Sequence, residues 1–208
     1  MTRRSKSSGR WLQEHHSDPF VLRARAEGWR ARSVFKLEEI DRREKLLKPG
    51  MVCLDLGAAP GAWSQYARRQ VGRPGRVIAS DILEMEPLEG VEFVPGDFRE
   101  AEVFERLIAL ASERTVDVVL SDMAPNLSGM DSVDQPRSMY LSELALDMAG
   151  RVLKRDGAAL IKVFQGAGFQ EFVALVRTRF AKTKLLKPQA SRARSPELYL
   201  LAKGFRLV

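Results

Sequence analysis

From Met51 to Phe180 short apolar runs alternate with amphipathic stretches, and that alternation constrains the fold more than any other feature. "MVCLDLG", "GRVIASD", "VEFVPGD", "VDVVLSDMAP" and "AALIKVFQG" read as buried strands that end in turns. "AWSQYARRQ", "REAEVFERLIALASE", "RSMYLSELALDMAGRVLK" and "FQEFVALVRTRF" have helical spacing, the third stopped by "RDG" as a C-cap turn. Repeated strand–helix units imply a doubly wound α/β fold, a mostly parallel sheet with helices on both faces. The rhythm then changes. "KTKLLKP" and "PELYLLAKGF" are strand-like with no helix between them, so one strand near the C-terminus should run antiparallel in a seven-stranded sheet. "SVFKLEEIDRREKLL" reads as a helix ahead of the first strand. Residues 1–20 are expected to form a basic, loosely ordered segment, and residues 21–208 a single domain.

At 208 residues and 45% hydrophobic content the chain can bury a full core, and no apolar run approaches the ~20 residues of a membrane span. "MTRRSKSSGRWLQEHH" lacks the apolar stretch of a secretory signal, which points to a cytoplasmic protein. Cys53 is the only cysteine and sits in an apolar strand, so it reads as a buried thiol, and no metal site is expected. The adjacent His15 and His16 read as a solvated or nucleic-acid-facing pair. Charge is segregated. Residues 1–48 carry a net +6, residues 49–176 a net −7 and residues 177–208 a net +8. An acidic centre between two basic ends suggests a polyanionic partner, with nucleic acid the obvious candidate.

In open α/β sheets a ligand sits beyond the carboxyl ends of the strands. Asp55–Gly57, Asp81, Asp97 and Asp122 end four successive strands and should converge on one crevice. The turn "DLGAAPGAWSQYA" opens it. Gly57 and Gly61 permit close backbone approach and Pro60 stiffens the turn, but the third glycine of a pyrophosphate-binding fingerprint is missing. Asp81, twenty positions after Gly61, suits ribose hydroxyls whether the ligand is a dinucleotide or S-adenosylmethionine. An acidic lining without a phosphate clamp favours S-adenosylmethionine, whose carboxylate could meet a helix N-terminus. Trp63 either walls in this cofactor or packs in the core, and its place at the opening of the helix favours the first. Asp97 suits an adenine amino group, and Asp122 in "SDMAPN" stands at the reacting end.

Lys162 interrupts the apolar strand "ALIKVFQG", where a lysine needs either an ion pair or a function. Glu197 opens another apolar strand, and Lys36 lies on the early helix among Val34, Leu37 and Ile40. Spacing alone does not bring these three together. With the stretches "RARSVFKLEEID", "DLGAAPGAWSQYA", "SDMAPNLSG", "IKVFQG" and "SRARSPELYLLAKG", however, the sequence resembles the FtsJ/RrmJ family of RNA 2′-O-ribose methyltransferases along essentially its whole length. It is most similar to the bacterial branch that methylates a uridine ribose of 23S rRNA on the large ribosomal subunit. The resemblance implies the Rossmann-like, S-adenosylmethionine-dependent methyltransferase fold and an active-site tetrad of Lys36, Asp122, Lys162 and Glu197. It puts cofactor contacts on Gly61, Trp63, Asp81, Asp97 and Asp122, beside Gly57 from the turn. Ala62 departs from the family, which usually carries a second glycine there.

The reaction so implied is an in-line attack of the ribose 2′-oxygen on the sulfonium methyl group, helped by positioning of two bound reactants. Lys162 would act as general base or orient the hydroxyl, Glu197 would hold Lys36, and Asp122 would span cofactor and lysine. As a base Lys162 must be neutral, a form that burial and Lys36 favour and Asp122 opposes. Arg3, Arg4, Lys6, Arg10, Arg30, Arg32, Arg192 and Arg194 are the expected grips on 23S rRNA, bound by a monomer. Three rival readings use the same scaffold. A dehydrogenase using NAD would give no role to Lys36, Lys162 and Glu197 together; a non-catalytic RNA-binding factor would not need the tetrad; and a tRNA or mRNA-cap methyltransferase would keep the chemistry and change the acceptor.

Overall fold

The computed structural model describes residues 18–112, 115–126, 128–192 and 195–207. Arg3, Arg4, Lys6, Arg10, His15, His16 and Arg194 lie outside the described residues. In chain order the elements are α1 (Pro19–Ala26), α2 (Val34–Glu44), β1 (Val52–Leu56), α3 (Ala62–Val71), β2 (Arg76–Asp81), β3 (Val91–Pro95) and α4 (Ala101–Ala111). They continue with β4 (Val116–Ser121), α5 (Asp131–Val152), β5 (Leu153–Phe164), α6 (Phe169–Arg179), β6 (Phe180–Leu186) and β7 (Glu197–Phe205). One sheet holds all seven strands in the order β3-β2-β1-β4-β5-β7-β6. Pairings from β3 through β5 are parallel, and β7 runs antiparallel to both β5 and β6. The expected α/β architecture with a reversed strand near the C-terminus is the one observed. No helix among the described residues is long and apolar enough to cross a membrane.

The central strands are apolar along nearly their whole length because both faces are covered. Alternate side chains go to opposite sides. Leu54, Ile78, Val119, Ile161 and Leu200 pack with Leu107, Leu146 and Val176 on one face. Cys53, Val77, Val118, Leu160 and Leu201 pack with Leu37, Ile40, Trp63 and Tyr66 on the other. Strand order reverses between β2 and β4 on either side of β1, and this opens the crevice above the carboxyl ends of β1 and β4.

Three boundaries differ from the sequence pattern. Helix α5 begins at Asp131, before Pro136, so the proline lies inside the helix rather than ahead of it. The "RDG" segment does not cap α5, which ends at Val152 and passes directly into β5. Instead, Val116 faces Leu153 and Val118 faces Ala158, so Lys154–Gly157 bulge out of the ladder opposite one residue of β4, with Asp156 at φ 64°. Helix α1 straddles the expected 20/21 domain boundary. Its signal was the pair Asp18–Pro19: the Asp18 carboxylate accepts from Phe20 N at 2.9 Å, and Pro19 sits where no helical N–H is needed.

Asp41 joins the early helix to the sheet layer. It is buried, its Oδ1 accepts from Leu46 N at 2.9 Å and Leu47 N at 2.8 Å, and its Oδ2 accepts from Tyr66 Oη of α3 at 2.9 Å. Truncation leaves two buried amides and a phenol unpaired. Asp41→Ala is therefore expected to destabilise the fold by about 2–4 kcal/mol in urea denaturation.

Candidate active site

A cavity of about 550 Å³ opens at the carboxyl ends of β1 to β4, and Gly57, Asp81, Asp97 and Asp122 all line it. Each carboxylate is held differently. Asp81 accepts from Ala59 N through Oδ2 at 2.9 Å and from Leu83 N through Oδ1 at 2.8 Å, so it ties the turn after β1 to the turn after β2. Asp97 is gripped by Arg99, whose Nε lies 2.9 and 2.8 Å from its two oxygens, and this hydrogen bonding holds its carboxyl below the usual range. Gly57 adopts φ +75°, and a Cβ there would come within 2.5 Å of Met123 Cγ, so only glycine seats the turn against the β4 loop.

Asp55 does not reach this cavity. Its side chain is fully buried and accepts from Ser64 Oγ at 2.6 Å in the first turn of α3, while Oδ1 has no partner among the described residues. Burial above all, with the charges of Asp122 and Asp81, raises its carboxyl against the opposing pull of the Ser64 bond, to about 7.

Beside the cavity two lysines and two carboxylates meet on one face of the sheet. Lys162 of β5 stands directly opposite Tyr199 of β7, and Phe164 opposite Glu197, so antiparallel register brings Lys162, Tyr199 and Glu197 to the same side. Lys36 reaches them from α2 above. Lys162 Nζ lies 2.8 Å from Asp122 Oδ1, 2.8 Å from the Asp122 carbonyl oxygen and 3.8 Å from Glu197 Oε2. Lys36 Nζ lies 2.7 Å from Glu197 Oε1 and donates to Tyr199 Oη at 3.2 Å. Tyr199 Oη donates to Asp122 Oδ1, which closes a ring of five side chains. Ser191 Oγ supports it by donating to Glu197 Oε1 at 2.8 Å. The side chains of Lys162, Glu197 and Lys36 are only 7%, 11% and 12% exposed, so each charge depends on its neighbours rather than on water. Burial pushes the Asp122 carboxyl up, but the Lys162 and Lys36 ammonium groups and the hydrogen bonds from Lys162 and Tyr199 prevail and hold it below its ordinary value. Burial and then the Asp122 charge push the Tyr199 phenol well above its ordinary value, so it remains a donor.

The structure thus brings together Lys36, Asp122, Lys162 and Glu197, and it lines the adjoining cavity with Gly57, Asp81, Asp97 and Asp122. Other expectations need correction. Trp63 is not a wall of the cavity: its indole is buried in the helix-covered core, donates from Nε1 to Ser33 O at 2.8 Å and packs 5.6 Å from the Tyr199 ring. Gly61 is not among the residues that line the cavity, and a Cβ there would meet Met85, Arg30 and Leu88. Ala62 is buried in the same core as Trp63, so its extra methyl packs against protein. Arg30 and Arg32, expected as grips on RNA, have their guanidinium groups engaged within the fold. The Arg30 guanidinium bonds three backbone carbonyls, and Arg32 bonds Asp18 and the carbonyl of Ala190. Arg192 is half-buried in the loop that leads to Glu197.

Tyr199 and Ser191 are the residues that motif reasoning passed over. Tyr199 had a signal: it lies two positions after Glu197 in a strand, hence on the same face.

The Asp55 environment has a measurable consequence. Its ordinary value is 3.8, so between about pH 4 and 7 the unfolded chain releases a proton that the folded protein retains. Stability should therefore fall as pH rises through that window, by an amount on the order of a few kcal/mol, and level off above it. Asp55→Asn keeps an acceptor for Ser64 and should flatten this slope in urea titrations from pH 4 to 8.

The FtsJ-like methyltransferase family model matches residues 29–205 of the chain. Proteins named ribosomal RNA large subunit methyltransferase E from Stenotrophomonas maltophilia and Xanthomonas campestris are 59% and 57% identical to it over 206 residues, spanning 99% of this chain and 98% of theirs. A solved structure described as a putative ribosomal RNA methyltransferase from Plasmodium falciparum superposes with a TM-score of 0.75 at 26% identity, covering 85% of this chain and 98% of that one.

Proposed function

Because the chain belongs to the FtsJ-like methyltransferase family, we propose that it moves the methyl group of S-adenosylmethionine to the ribose 2′-hydroxyl of a nucleotide in large-subunit ribosomal RNA. The acceptor in this reading is a uridine of the 23S species, and the protein works as a cytoplasmic monomer. The observation that carries the proposal is the closed ring of Lys36, Glu197, Tyr199, Asp122 and Lys162 at the edge of an acid-lined cavity. The large-subunit names of relatives more than half identical over the whole chain support the choice of acceptor.

The cavity fits the cofactor by volume and by donor set. Its volume lies in the range of pockets that enclose drug-sized ligands. Each Asp81 oxygen accepts one backbone N–H, which leaves lone pairs free for two ribose hydroxyls. Asp97 offers acceptors for an adenine amino group, shared with Arg99, while Ile82, Leu83 and Phe98 supply apolar walls. Carboxylates dominate where a pyrophosphate would need donors, which disfavours a dinucleotide. When bound, S-adenosylmethionine supplies a methyl group carried on a positively charged sulfur.

The chain's own residues handle the acceptor. Asp122 fixes Lys162 Nζ with two 2.8 Å contacts, one to its carboxylate and one to its carbonyl. A neutral amine committed to those two bonds points its lone pair outward, where it can take the proton of a 2′-hydroxyl. An ammonium in the same place donates its third N–H to the 2′-oxygen and orients it. Either role requires Nζ where Asp122 holds it. Glu197 and Tyr199 hold Lys36 beside Asp122, so the second cation that, after Lys162, lowers the Asp122 carboxyl is itself fixed. Only RNA offers the acceptor hydroxyl, and Arg192 with the basic ends of the chain would bind its phosphates.

Two measurements test the reading. Radiolabelled S-adenosylmethionine should label undermethylated large subunits at a single ribose 2′-oxygen; label on a base, or on tRNA in preference, would refute the acceptor. Lys162→Ala should keep cofactor affinity within about threefold while single-turnover transfer falls by at least ~10²-fold. Normal turnover by that variant removes Lys162 from the mechanism.

A further inference from the structure

The Arg30 guanidinium beside the cavity donates to three backbone carbonyls, and among the described residues none of its partners is an anion. Its Nη1 donates to the carbonyls of Pro60 at 3.0 Å and Glu86 at 2.6 Å, and Nη2 donates to the carbonyl of Pro87 at 2.8 Å. Its own backbone N–H donates to Gln65 Oε1 at 3.2 Å, and Gln65 Nε2 returns a bond to Gly28 O at 2.9 Å, which fixes the arginine's segment on α3. Three separate stretches therefore meet at one guanidinium: residues 28–30, the turn before α3, and the loop after β2. The two loops so joined are also the walls of the cavity. Ala59 lines it one residue before Pro60, and Asp81, Ile82 and Leu83 line it a few residues before Glu86.

Gly61 belongs to the same seam. It adopts φ +104°, and a Cβ there would lie 2.6 Å from Met85 Sδ, 3.0 Å from Arg30 Nη1 and 3.0 Å from Leu88 Cδ1. The glycine is needed so that the loop after β2 and the guanidinium can close on the turn.

We propose that Arg30 is a positioning residue for the cofactor, a clamp that holds the 82–88 loop against the Ala58–Gly61 turn and so sets the width of the adenosine end of the cavity. The inference rests on the S-adenosylmethionine reading of that cavity. Its physical basis is the fork of the guanidinium, which offers donors in fixed directions to several carbonyls at once; a lysine keeps the charge but not the fork. The Asp81–Ala59 bond at 2.9 Å ties the same two loops on the cavity side, so loss of Arg30 loosens the seam without opening it.

The test compares Arg30→Lys and Arg30→Ala with the wild-type protein. Kd for S-adenosylmethionine and its KM should rise on the order of tenfold in both variants, with turnover at saturating cofactor within about twofold of wild type. KM for large subunits and its salt dependence should not move. The clamp is overturned if Arg30→Lys behaves as wild type while Arg30→Ala binds subunits more weakly with a flatter salt dependence, the signature of a phosphate contact. Unchanged cofactor affinity in both variants overturns it as well. Should Arg30→Ala fail to fold, Gly61→Ala tests the same seam, and unimpaired cofactor binding by it counts against the clamp. Hydrogen exchange of the 82–88 amides in ligand-free protein keeps the two readings apart. Failure of the wild-type protein to bind S-adenosylmethionine sinks the functional reading, whereas unaltered exchange in Arg30→Lys sinks the clamp.

Discussion

The arrangement of the site depends on the antiparallel register of β5 and β7. In a parallel sheet the first residue of a strand lies at the end opposite the ligand crevice. Glu197 is the first residue of β7, and it reaches the crevice only because β7 runs backwards beside β5. The same reversal sets Tyr199 directly across from Lys162. Two lysines and two carboxylates are then packed where little water reaches, and each cation has an anion within 3 Å. Removing any one of them strands its partner, which makes the group strongly interdependent. The terminal strand pair, which looked in the sequence like an irregular ending, is what builds the site.

The four strand-end aspartates show how one residue type acquires different properties from its surroundings. Asp55 lies beneath the turn with one hydroxyl partner, and desolvation dominates. Asp97 is neutralised by an adjacent guanidinium, and Asp81 is held by two amides. Asp122 is little exposed, yet flanking ammonium groups reverse the effect of burial. Only the last three face the cavity, so the carboxylate that is hardest to ionise is kept away from the ligand.

Much of this was legible in the chain. Strand–helix alternation carried the topology, because a strand buried on both faces leaves an unbroken apolar run. The tetrad was legible because charged residues in apolar strands demand a reason, and family motifs tied together residues that spacing could not. What escaped was local and three-dimensional. Trp63 opens a helix at a binding turn, but a helix has two sides, and its indole is turned to the core and Ser33. Arg30 and Arg32 counted as free positive charge in the sequence, whereas in the structure they satisfy backbone carbonyls. The "RDG" segment, read as a helix-capping turn, is instead a bulge within β5, since a bulge in a strand and a helix cap call for the same residue types. No pattern in one dimension distinguishes them.

The packing of the Trp63 indole also links two sites on different elements. The cofactor-side turn leads into α3, whereas the acceptor-side lysine sits two strands away on β5. Trp63 comes from the first turn of α3 and packs its ring on Tyr199, the phenol that bonds Asp122 and Lys36. Its indole N–H is fixed on Ser33, the residue that precedes the helix carrying Lys36. One buried side chain thus touches the helix after the cofactor turn, the helix of Lys36 and the centre of the ring. Group transfer requires nucleophile and methyl group to be held at one distance and one angle, and a misplacement of about 1 Å can cost ~10²-fold in rate. As a rigid spacer behind both sites Trp63 holds their separation constant, which is the quantity on which transfer depends.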